Sequence, residues 1–144
     1  MSPASARQWW AVVDRNLQMA DLLLSEHFGD GAAFHYLHAT EAAVTALYTQ
    51  LRPDLELRAE PYHAHHLHRK KFEIARDMFK REGYAALANE VAGVEDYIAK
   101  REDTLYVTRR GQLPQATFKD EVYVGKMAEK LKALIQHLRD PKPG

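Results

Sequence analysis

The chain has 144 residues, enough for one domain with a real core but not for two independent ones, and 46% of them are apolar, which excludes a disordered chain. Lys plus Arg and Asp plus Glu number 20 each, so there is no basic excess for a general electrostatic grip on nucleic acid, and any RNA contact has to be local. There is no cysteine, which removes disulfides and thiolate chemistry and agrees with a reducing compartment.

Strand signals are nearly absent and a helical period dominates. Trp10, Val13, Leu17, Ala20 and Leu24 recur at steps of three and four, which predicts a first helix over residues 5–28. Gly29, Asp30 and Gly31 read as a turn carrying a cap for the next helix. Phe34, Leu37, Val44, Tyr48 and Leu51 form the second stripe, with Glu41 at the missing step and Pro53 as the stop. Residues 52–62 hold two prolines and weak periodicity, and are expected to be a loop.

A shorter third helix follows, with Leu67, Ile74 and Met78 in one line and Phe72, Ala75 and Phe79 beside it; Gly83 ends it. Leu87, Val91, Val94, Ile98 and Leu105 form the fourth stripe, with Arg101 at the vacant step. Residues 109–117 read as a second loop. The last helix, over residues 119–139, has Val124, Met127, Leu131, Leu134 and Leu138 on its apolar face. The expected architecture is therefore all-α: an up-and-down four-helix bundle with a short additional helix, five in total, in one domain over residues 1–144. Residues 1–7 lack a charged start followed by an apolar core, and no apolar run reaches the roughly 18 residues that span a bilayer, so a soluble, cytoplasmic protein is expected.

Two charges interrupt these stripes. Glu41 and Arg101 sit where apolar residues belong, and a lone buried charge is costly, so they are expected to approach one another, as a structural ion pair or as the lining of a groove between the second and fourth helices. Histidines gather at His63, His65, His66 and His68, with His35 and His38 on the second helix. Imidazole suits zinc, yet no cysteine and no His-Glu-x-x-His accompany them, so capping and surface roles are the simpler reading and neither metal nor cofactor is expected. Trp9, Trp10, Tyr36, Tyr48 and Tyr62 could stack on bases, but aromatics at helical spacing belong first to a core or a dimer interface. Gly29 and Gly31 lack the strand and the Lys-Ser/Thr of a phosphate loop.

The second helix carries a resemblance. Phe34-His35-Tyr36-Leu37-His38-Ala39-Thr40-Glu41, followed by Ala42 to Tyr48, resembles the HEPN pattern of an aromatic, polar residues and then Ala-x-Glu-Lys-x-x-Lys-Ala-Leu. Asp14 to Leu24 resembles the family's first helix, and Ala64-His65-His66-Leu67 stands where many members have Thr-His-Asp-Leu. The family's two lysines are Ala42 and Thr45 here. Its ribonuclease members carry Arg, four to six residues, then His; here Arg101 is followed by Tyr106, with no histidine from 102 to 110.

Metal-independent RNA cleavage needs a group that takes the 2′-hydroxyl proton near neutral pH, which suits histidine at about 6.5 and not tyrosine near about 10. The resemblance thus implies a non-catalytic, homodimeric binding protein, with a nucleotidyltransferase as partner in a toxin–antitoxin-type system and RNA or a nucleotide as ligand. Its groove would hold Glu41, Arg101, Tyr106, His38, His65 and His66. The alternatives are a ribonuclease toxin using Arg101 and Tyr106, and a small-molecule-binding helical bundle.

Overall fold

The computed structural model describes residues 4–57, 67–108 and 110–144. Every regular element among them is helical: α1 (Ala6–Ser25), α2 (Gly29–Leu51), α3 (Leu67–Arg81), α4 (Ala85–Ala92), α5 (Glu95–Ile98), a 3-10 turn (Arg101–Thr104), α6 (Pro114–Thr117) and α7 (Glu121–Arg139).

The ends of α1 follow from local chemistry. Ser5 and Gln8 form a reciprocal capping box, in which the Gln8 amide donates to Ser5 Oγ at 3.2 Å and the Ser5 amide to Gln8 Oε1 at 2.7 Å. At the other end His27 takes a left-handed backbone, φ 68°, and the Phe28 amide turns back to the Leu23 carbonyl at 2.8 Å. The turn is therefore residues 26–28. The glycines expected to form it instead open α2, and their purpose is steric. A Cβ on Gly29 would lie 2.2 Å from the Phe118 carbonyl oxygen, so only glycine lets α2 begin against the chain that leads into α7.

The centre of the molecule is α2. It packs on α1, α3, the 3-10 turn, α6 and α7, and its alanines 32, 33, 39, 42, 43 and 46 are all buried. A helix apolar on every side is one surrounded by others, and small side chains let those neighbours come close. Around it Phe72, Phe79, Phe118 and Leu131 are fully buried, each stabilising by about 1.5–3 kcal/mol. The last helix begins at Asp120, whose carboxylate accepts the Val122 and Tyr123 amides, and all five residues of its stripe are buried. It is tied to α1 by Arg139–Asp14 at 2.5 Å and Lys132–Asp21 at 2.7 Å.

The expected long fourth helix is a correction. Its stripe breaks into α4, α5 and the 3-10 turn, with Gly93 as the C-cap of α4. Leu87, Val91, Val94 and Ile98 are still buried, whereas Leu105 is 45% exposed and leaves the core. Breaking the helix lets the chain curve around α3 and α2, setting Glu95 against Arg76 at 2.5 Å. The second expected loop likewise contains one helical turn, α6, begun by Pro114 at a position where a missing amide costs nothing.

Candidate functional site

The residues that interrupt the second and fourth stripes meet. Arg101 Nε lies 3.9 Å from Glu41 Oε2, with the two side chains only 18% and 12% exposed. Glu41 comes from the middle of α2 and Arg101 from the first residue of the 3-10 turn, so the break in the fourth stripe is what carries the guanidinium to the carboxylate. Lys71 of α3 approaches the other carboxylate oxygen, Nζ to Oε1 being 3.8 Å. Both separations are ion pairs too long for hydrogen bonds. Two cations thus share one carboxylate, and Arg101 Nε is buried without a hydrogen bond among the described residues.

The aromatic Phe34, about two turns before Glu41 on α2, supplies a floor. The Arg101 guanidinium carbon stands 5.2 Å from the Phe34 ring centre, within cation–π range. The His38 ring stacks on Phe34 at 5.8 Å and 7°, and His35 meets its edge at 5.0 Å and 74°. His35 is held in place across the α1–α2 contact, its Nδ1 2.7 Å from Asn16 Oδ1. Burial, aided by the neighbouring His38, pushes the His35 imidazole below its ordinary value. Arg101, Glu41 and His38 therefore belong to one cluster, with Phe34, Lys71 and Asn16 as members that the stripe pattern did not single out. Phe34 was legible as a stripe residue and as the aromatic that opens the HEPN-like pattern but not as a partner of Arg101, and Lys71 stood in an unremarkable Arg69-Lys70-Lys71 run.

Tyr106 does not join them. It is 65% exposed and lines a separate surface depression with Glu102, Asp103 and Thr117. His65 and His66, with His63, lie outside the described residues, as does the side chain of His68. No group of three or more His, Asp or Glu side chains that could hold a metal ion occurs among the described residues. No helix among them is long and apolar enough to cross a membrane.

On the opposite flank of α2, Tyr36 donates a 2.5 Å hydrogen bond to Asp21, which also receives Lys132. Burial raises the Asp21 carboxyl, but the hydrogen bonds from Lys132 and Tyr36 outweigh it and hold the group below the usual carboxylate range. The Tyr36 phenol moves well up through burial and that same carboxylate. An ionised acid between a locked phenol and an ammonium joins α1, α2 and α7; it has no role to play in proton transfer near neutrality.

Compared with known proteins, the chain finds no counterpart: no family model, no curated protein and no solved structure matches it.

Proposed function

We propose that the chain is a non-catalytic, HEPN-like homodimeric protein that binds a phosphate-bearing ligand, RNA or a nucleotide, at the Arg101–Lys71–Glu41 cluster and acts beside a nucleotidyltransferase partner. The observation that carries this reading is the sharing of one carboxylate by two cations at 3.8 and 3.9 Å. A phosphate can compete for such loosely held cations, and a guanidinium backed by an aromatic ring offers it a planar, partly desolvated fork. The nearly central α2 and the order of motifs along the chain support the HEPN-like topology. Exposed Leu105, Tyr106 and Val107, next to the Arg101 turn, support self-association.

A second reading, a metal-independent ribonuclease, draws on His38, an imidazole that stacks on the same Phe34 ring as the Arg101 guanidinium. One experiment separates them. Fluorescence anisotropy with labelled tRNA should give salt-sensitive binding that Arg101→Ala weakens at least about tenfold, roughly 1.4 kcal/mol, and the RNA should stay intact. Cleavage lost in His38→Ala would favour the ribonuclease; no binding at low salt, or a monomer by sedimentation at micromolar concentration, would overturn the first reading.

A further inference from the structure

Short as it is, α5 brings Tyr97 against Tyr123 in the first turn of α7, the ring centres lying 6.3 Å apart at 62°. A lysine attends each ring. Lys100, just beyond α5, donates from Nζ to the Tyr123 hydroxyl at 2.7 Å, and Lys130, two turns along α7, holds its Nζ 5.9 Å from the centre of the Tyr97 ring. Both lysines are exposed and both tyrosines half-buried. Among the described residues neither ammonium has a carboxylate in ion-pair range. Glu95 is taken by Arg76, and Glu102 and Asp103 line the depression around Tyr106. With Lys126 between Tyr123 and Lys130 on α7, the unpaired lysines outnumber Asp96 and Glu129, the unpaired acids of the two helices. Because Lys100 donates to the Tyr123 oxygen, the proton of that hydroxyl is free to donate outward. Two aromatic rings thus carry hydrogen-bond donors and positive charge on one surface.

We propose that this cluster binds a single-stranded stretch of RNA, with a base stacked on the Tyr97 ring and the adjoining phosphates held by Lys100, the Tyr123 hydroxyl and Lys130. An incoming base takes the place of the Lys130 ammonium over Tyr97 and leaves that ammonium beside the phosphate. A weak cation–π contact is thereby exchanged for stacking and a charge pair. An acidic peptide would use the lysines and leave the rings idle, so the pairing of each cation with a ring favours nucleic acid. A chain with no basic excess has no general field for RNA, and a contact confined to such a patch is the kind it allows. This binding mode rests on the reading of RNA as the ligand but not on Arg101. Lys100 and Arg101 are neighbours in the chain that reach different elements, one Tyr123 of α7 and the other Glu41 of α2.

The test is fluorescence anisotropy on the full chain at low salt, with a labelled oligouridylate of about 12 nucleotides. Tyr97→Ala should weaken binding about tenfold, whereas Tyr97→Phe, which keeps the ring, should not. Lys100→Gln and Lys130→Gln should each weaken it and flatten the slope of log affinity against log salt by about 0.7. An effect of Arg101→Ala with none of Tyr97→Ala would sink this site and spare the earlier one; the reverse pattern would do the opposite. Circular dichroism identifies a variant that has unfolded, and photocrosslinking of a 5-iodouridine oligonucleotide to the wild-type chain then decides, with crosslinks expected on Tyr97 or Tyr123. Crosslinks only outside residues 97–100 and 123–130, no oligouridylate binding by the wild type, or labelled polyglutamate bound as tightly as the oligonucleotide would each overturn the proposal.

Discussion

Two stripes that look alike in sequence behave differently in space. In α7, Val124, Met127, Leu131, Leu134 and Leu138 occupy one unbroken helix and every one is buried. Between 87 and 105 the same spacing of apolar residues is spread over two helices and a 3-10 turn, and its last member stands in solvent. The difference teaches that a stripe forecasts which residues face the core but not that one straight rod carries them. The straight helix spans the molecule and ties back to α1 through Arg139 and Lys132; the broken one bends around α2 and α3 and delivers Arg101 to Glu41.

Truncation should break the comparison most sharply. Leu131→Ala, in a fully buried position, should cost about 2–5 kcal/mol in urea unfolding, whereas Leu105→Ala should change stability by less than about 0.5 kcal/mol. Equal effects at the two positions would mean that the fourth stripe packs as a continuous helix after all.

The next effect concerns the seam between the regions. Gly29→Ala forces a Cβ toward the Phe118 carbonyl, which precedes α7, and should destabilise by about 1–3 kcal/mol because backbone on both sides must move. Thermal melting of that variant against wild type checks it, and a neutral result would refute the close approach.

The smallest effect is one of pH. The folded chain holds the His35 imidazole below its ordinary value of about 6.5, so between its folded and unfolded values the unfolded chain binds more protons. Stability contributed by neutral His35 is present above about pH 6.5 and falls as the pH drops below it. Urea midpoints measured from pH 7.5 to 5 should decline, and His35→Gln should flatten that decline. Because His35 bonds to Asn16 on the α1 side and touches Phe34 on the Arg101 side, hydrogen exchange at acidic pH should rise in both regions, and a rise confined to one would show that they are uncoupled there.

How much of the site was legible varies residue by residue. Glu41 and Arg101 announced themselves by interrupting apolar stripes, because a charge among core positions needs a partner. Lys71 and Phe34 gave no such signal. One looked like an ordinary surface cation and the other like an ordinary core aromatic, and only the packing of α3 and the 3-10 turn on α2 turned them into neighbours of the pair. Tyr106 occupied the expected place in the linear order, four residues past the vacant histidine range's start, yet the end of the 3-10 turn points it to solvent.

From the sequence alone came the helical class, the positions of α1, α2, α3 and α7 to within a few residues, and the burial of most stripe residues, while Trp10, Leu17, Leu24, Phe34, Leu51 and Ile74 are only partly buried. These depend on local hydrogen bonding and on a period of 3.6, which are properties of neighbouring residues. Tertiary structure decided where the fourth stripe breaks, why Gly29 must be glycine and which charges share Glu41. Each of those depends on a contact between segments distant along the chain, and no local pattern encodes how closely two helices approach.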